Sequence, residues 1–234
     1  MKLAKKIYNF ARSSRPSLVI TLETLAGLVL CLLSLVIFLF FTSEMLEAEF
    51  NSLDVQVIHQ VYSLRTPELT RAMILVSSLG SSMTLTVVLL VMVLVLMLKN
   101  HRKEAFIFCL TLLMGVMLSL LLKSLIQRPR PQLSPLIVER TSSFPSSHAM
   151  NSLIFFSLLW YFSYHFFHKK WVTVLSFLAS TCAVLIIGFS RIYLGVHYLT
   201  DIVAGYIAGF WWFVTVLLVD RTFIFYRVFK KSEE

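Results

Sequence analysis

Long apolar runs separated by short charged clusters most limit what this chain can fold into. The runs cover about Leu18–Phe41, Arg71–Leu98, Ala105–Leu122, His148–Phe167, Val172–Phe189 and Val196–Val219. A helix needs roughly 20 apolar residues to cross a bilayer. In hydrocarbon every backbone N–H and C=O must be satisfied within the protein, which a single helix achieves alone. With 58% hydrophobic residues over 234 positions, the chain is too apolar for a soluble domain. Too few alternating polar positions exist for a barrel. The expected fold is an all-α integral membrane protein with six transmembrane helices, forming one domain over residues 1–234.

The formal net charge of +9 invites a nucleic-acid reading. The charges sit between the apolar runs, however, so topology accounts for them and no nucleic acid is expected. Residues 1–17 carry Lys2, Lys5, Lys6, Arg12 and Arg15 and no acid. Six spans place this segment, the Lys99–Lys103 loop, Lys169-Lys170 and the basic tail 220–234 on one side. Both termini are therefore expected to be cytoplasmic. The N-terminus is basic then apolar, like a signal peptide, but its apolar run is too long and a retained helix is expected.

The loop from Thr42 to Thr70 is acidic, with Glu44, Glu47, Glu49, Asp54 and Glu68 against Arg65. Leu53, Val57, Val61 and Leu64 recur at helical spacing and predict a short amphipathic helix in this first outer loop. Small residues around Gly80, and Gly205 with Gly209, read as places where helices approach closely. Cys31, Cys109 and Cys182 lie inside apolar runs and read as small core residues, not disulfides or metal ligands.

Ionisable groups concentrate in three stretches that this topology gathers at the outer face. The first is Lys123-Ser124-Leu125-Ile126-Gln127-Arg128-Pro129-Arg130-Pro131, basic where the positive-inside rule expects otherwise. The second is Phe144-Pro145-Ser146-Ser147-His148, a helix-start signal whose free N–H groups form an anion site. The third is Ser190-Arg191 followed by His197 and Asp201. If helix begins at Val196, His197 and Asp201 share a face and the carboxylate can fix the imidazole tautomer. Together they supply Lys123, Arg130 and Arg191 as cations, Ser146 and backbone N–H groups as donors, two histidines and one carboxylate. That set suits phosphoryl transfer through a phosphohistidine. His197, oriented by Asp201, attacks phosphorus; His148 protonates the leaving oxygen and then activates water. Three cations supply the positive charge, so no metal and no other cofactor is expected.

Lys123-x6-Arg130-Pro131, Pro145-Ser146-Ser147-His148 and Ser190-Arg191-x5-His197-x3-Asp201 together resemble the three-part signature of the type 2 phosphatidic acid phosphatase family. The resemblance covers Lys123 to Gly209 by motif and the whole chain by its six-span layout. It implies a metal-independent lipid phosphatase of the cytoplasmic membrane with its site on the extracytoplasmic side. It implies His197 as nucleophile, Asp201 as its partner and His148 as general acid. Lys123, Arg130, Ser146, the backbone of Ser147 and Arg191 are implied to bind phosphate. Ser147 departs from the Gly usual in the family; a first-turn helical position that contributes only its N–H tolerates Ser.

The compact bacterial members that this chain resembles act on undecaprenyl pyrophosphate, phosphatidylglycerophosphate and phosphatidate. The first two are the expected substrates. A lipid phosphotransferase would use the same residues, with a lipid hydroxyl replacing water. An anion transporter would need polar groups along a path through the bilayer, and the apolar runs are nearly free of them.

Overall fold

A computed structural model gives the structure of the protein. It describes the chain except for residues 1, 48 and 234, and no side chain is described before Leu22 or beyond Asp220. The expectations for the basic N-terminal segment and tail therefore lie outside the described side chains. Among the described residues eight helices follow in order: α1 (Lys2–Leu46), α2 (Asn51–Tyr62), α3 (Pro67–Leu79), α4 (Ser82–Leu98), α5 (Arg102–Leu125), α6 (Ser147–Phe167), α7 (Lys170–Tyr193) and α8 (Leu199–Glu233).

Among the described residues, four helical segments are long and apolar enough to cross a membrane: Leu22–Leu46, Arg102–Leu125, Lys170–Tyr193 and Leu199–Asp220. The expected second span is broken. Its two parts, α3 and α4, meet at 48° and together qualify as a fifth span. The break is local chemistry: Gly80 ends α3, and Ser81 turns extended and caps α4 by accepting from the Thr84 N–H at 3.2 Å. The expected fourth span, α6, is long enough but falls short in apolarity. Of its polar residues, Asn151 and Ser152 are buried in protein, whereas His165 near its far end is exposed. Met150, Asn151, Ser152, Ile154 and Leu158 are all buried, as α6 packs against α5, α7 and α8.

Two close approaches shape one end of the bundle. A Cβ on Gly205 would meet the Ser146 carbonyl at 2.8 Å, and one on Gly209 would meet the Met150 carbonyl at 2.9 Å. These glycines let α8 lie against the first turns of α6, an internal contact. Gly195 turns the chain between α7 and α8 with φ +76°, a backbone shape that favours glycine. Tyr62, Arg65 and Pro135 crowd its missing side chain.

α2 buries only part of the expected face: Val61 is buried and Val57 is half-buried against the same cluster. Leu53 and Leu64 are exposed, whereas Asp54, Ile58 and Val61 are buried. These three also recur at helical spacing, and they dock α2 on the α7–α8 connection. Of the cysteines, Cys31 and Cys109 are half-buried, and Cys182 is exposed, not a core residue.

Candidate active site

The C-terminal ends of α5 and α7, the N-terminal ends of α6 and α8, α2 and the loop 126–146 converge at one end of the bundle. Two backbone bonds fix the frame. The Ser146 N–H donates to the Asp201 carbonyl at 3.0 Å, and the Ser143 N–H donates to the Arg128 carbonyl at 2.9 Å.

His197 lies in the loop before α8, not on the helix as expected. The shared helical face is therefore not what joins it to Asp201. Instead, Asp201 Oδ2 accepts from the Tyr198 N–H at 2.8 Å, a side chain reaching back to the residue before the helix as in a capping box. The same oxygen accepts from the Ser143 hydroxyl and lies 3.3 Å from His197 Nδ1. The other ring nitrogen, Nε2, lies 3.3 Å from Arg130 Nη1. An arginine can only donate, so Nε2 is the bare acceptor and Nδ1 carries the proton toward Asp201. His197 is 1% exposed and Asp201 fully buried. Burial pushes the His197 pKa down to about 4, against the opposing pull of Asp201; Arg191 and Arg130 add to the drop. The imidazole is thus neutral across the physiological range.

Of the expected cations, Arg130 and Arg191 act on His197 at electrostatic range, and Lys123 lies within reach of both. Arg130 also donates to the carbonyls of Thr141 and Val196, each at 2.7 Å. Lys123, in the last turn of α5, donates to the Ser142 carbonyl at 2.5 Å. Arg191 sits in the last turn of α7, donating to Ser77 Oγ at 2.6 Å and to Glu139. Among the described residues its buried Nε has no hydrogen-bond partner, an uncommon state that leaves a donor for a ligand. His148, in the first turn of α6, is half-buried and within electrostatic reach of Arg191, His197, Lys123 and Arg130.

The second expected motif sits differently in detail. Ser146 caps α6, its hydroxyl accepting from the Ala149 N–H at 3.5 Å. Its own N–H is engaged by Asp201, so the backbone donors left for an anion are those of the first turn, which have no carbonyl inside the helix. Ser147 Oγ accepts from Ser119 at 2.7 Å, which turns this hydroxyl toward α5.

Several residues of the site were not singled out from sequence. Glu139 pairs with Arg191 and reaches to 4.0 Å from Arg130. Burial works against its charge, but Arg191 above all, with Arg130 and His197, holds its carboxyl below the usual range. Arg128 bridges two acids, Asp201 and Asp54, at 2.7 and 2.8 Å. The signal for Asp54 was present: an acid in helical register with Ile58 and Val61 is out of place on an apolar face. For Glu139, in an irregular loop, no periodicity could help. Among the described residues, no group of three His, Cys, Asp or Glu side chains is arranged to hold a metal ion.

Residues 104–225 match the family model described as the PAP2 superfamily. The chain is 31% identical over 176 residues to phosphatidylglycerophosphatase B of Bacillus subtilis, covering 73% of this chain and 85% of that protein. A crystal structure of a transmembrane PAP2-type phosphatidylglycerolphosphate phosphatase from Bacillus subtilis superposes with a TM-score of 0.78. That match has 25% identity and covers 82% of this chain and 96% of the other. Aquifex aeolicus LpxE shares the fold, with a TM-score of 0.56, 22% identity, and coverage of 70% and 94%.

Proposed function

The chain belongs to the PAP2 superfamily and is a multi-pass membrane lipid phosphatase, and from that premise we propose that it hydrolyses phosphatidylglycerophosphate through a phosphohistidine on His197. The observation that carries the reading is the His197 ring: Nδ1 3.3 Å from Asp201, and Nε2 bare and 3.3 Å from Arg130. A lone pair held among cations is where a phosphoryl group would be attacked.

The phosphate enters among Lys123, Arg130 and Arg191, with the hydroxyl of Ser146 and the first-turn N–H groups of α6, including that of Ser147, as further donors. His148 takes the proton that the phosphate brings in as its monoanion; His197 Nε2 then attacks phosphorus as the P–O bond to the lipid breaks, and His148 gives that proton to the departing oxygen. Asp201 balances the positive charge that develops on the imidazole. His148, now neutral, takes a proton from water, whose oxygen attacks phosphorus and returns His197 with release of phosphate. The three cations carry the stabilisation that a metal gives elsewhere.

The name of the Bacillus subtilis relative supports the choice of substrate. Undecaprenyl pyrophosphate and phosphatidate are the comparators, because the cage described binds a terminal phosphate whatever the lipid. We place the chain in the cytoplasmic membrane as one domain of six spans, counting α6 and the bent α3–α4 pair. In this arrangement both termini are cytoplasmic and the site opens on the extracytoplasmic side. The distribution of basic loops supports this orientation.

The test is phosphate release in detergent with EDTA present, wild type beside His197→Ala. Release by the wild type alone is expected, with phosphatidylglycerophosphate fastest of the three lipids. An absolute metal requirement, or phosphatase activity in folded His197→Ala, would overturn the mechanism. Vanadate, a mimic of the transition state, is expected to inhibit.

A further inference from the structure

Asp54 lies on α2, outside the matched family region at residues 104–225, yet its carboxylate is 1% exposed and fully engaged. Its Oδ1 accepts from the Thr200 N–H at 3.1 Å, in the first turn of α8. Its Oδ2 accepts from the Thr200 hydroxyl at 2.6 Å and from Arg128 Nη2 at 2.8 Å. The other end of the same guanidinium, Nη1, donates to Asp201 Oδ1 at 2.7 Å and to Thr200 Oγ1 at 2.8 Å. The Tyr198 ring lies 4.2 Å under the guanidinium carbon. One cation is thus clamped between two buried acids, stacked on a ring next to the nucleophile. Burial opposes the charge on Arg128, but Asp201 and Asp54 outweigh it and keep the guanidinium protonated.

We infer that Asp54 is a positioning residue for the catalytic pair, acting through Arg128 on Asp201; this rests on the phosphohistidine reading above. Two physical effects are involved. The fork of Arg128 occupies Asp201 Oδ1 and so fixes the carboxylate rotamer that presents Oδ2 to His197 Nδ1. Asp54 also takes half of the guanidinium's attention. Without that second acid, the full positive charge of Arg128 falls on Asp201, which then balances less of the charge growing on His197. Asp54 touches neither the phosphate cage nor His197, so its effect belongs to the chemical step and not to phosphate binding.

The experiment compares wild type, His197→Ala, Asp54→Asn, Arg128→Gln and the Asp54→Asn/Arg128→Gln double variant. Phosphate release from phosphatidylglycerophosphate micelles is measured per monodisperse folded protein, with inorganic phosphate as competitive inhibitor. Asp54→Asn is expected to lower kcat about 10–100-fold, with KM and the phosphate inhibition constant changed by less than about twofold. The double variant is expected to be no slower than Arg128→Gln, because Asp54 acts only through that residue. A helix-capping role alone would instead cost the same factor in both backgrounds, and that result, or an unchanged kcat, overturns the inference. If Asp54→Asn does not fold, Arg128→Lys keeps the charge and loses the fork. The same fall in kcat at constant phosphate inhibition is then expected, and a kcat within twofold of wild type overturns it. Activity in His197→Ala would instead sink the phosphohistidine reading, so the two failures are distinguishable.

Discussion

The carboxylate of Glu139 pairs with Arg191 inside the cation cluster that faces His197. It also reaches toward Arg130, and so stands where phosphate oxygens are proposed to bind. A bound phosphate and this carboxylate compete for the same donors. Glu139→Gln removes the competing charge and leaves a neutral amide. Tighter inhibition by inorganic phosphate is expected, by about three- to tenfold, since one partly exposed ion pair is worth about 1 kcal/mol. Weaker inhibition would show that Glu139 orients Arg191 for the ligand and does not oppose it.

The low pKa of His197 has a sign that can be checked. Its folded value is about 4, below the ordinary value of about 6.5. The unfolded chain therefore binds the extra proton first. The contribution of the neutral imidazole to stability is full above about pH 6.5 and is lost progressively as pH falls toward 4. Thermal unfolding of the unliganded protein in detergent is expected to show a steeper fall over this range than that of His197→Gln. Identical pH slopes for the two proteins would contradict the buried neutral ring.

Ser147 bonds Ser119 through its hydroxyl and sits in the first turn of α6 at ordinary helical geometry, with no positive φ. Its proposed part in phosphate binding is the N–H alone. Ser147→Gly is therefore expected to keep kcat/KM within about threefold and to cost about 1 kcal/mol of stability, from one lost hydrogen bond and added chain freedom. A gain in kcat/KM of tenfold or more would show that Ser hinders the approach of phosphate.

Gly205 touches the Ser146 carbonyl closely enough that an added Cβ would lie 2.8 Å from it. Backbone is on the other side of this contact, so a side-chain shift cannot relieve it. Gly205→Ala is expected to destabilise by about 1–3 kcal/mol, the usual cost of overpacking. By prying the Ser146–Asp201 frame apart, it is also expected to lower kcat. A thermal midpoint equal to wild type would mean that α8 has slack against α6.

Helical class and the residues of the candidate site could be read from the sequence because both leave local marks. Apolar length dictates helix wherever lipid replaces water, and Lys123, Arg130, His148, Arg191, His197 and Asp201 stand out as costly groups at the ends of such runs. Which oxygen meets which nitrogen was not local. The pairing of His197 with Asp201 comes from a capping turn before α8, not from a helical face. The break between α3 and α4 came from one Gly-Ser step that hydropathy averages away. Asp54 looked like one acid among five in a loop. Only folding brings it against Arg128, because a carboxylate is buried when a cation and amide donors from distant segments converge on it. Sequence alone determined the solvent the chain must live in and the chemistry it carries. The tertiary structure decided how those charges pair, since the pairing depends on contacts between segments far apart in the chain.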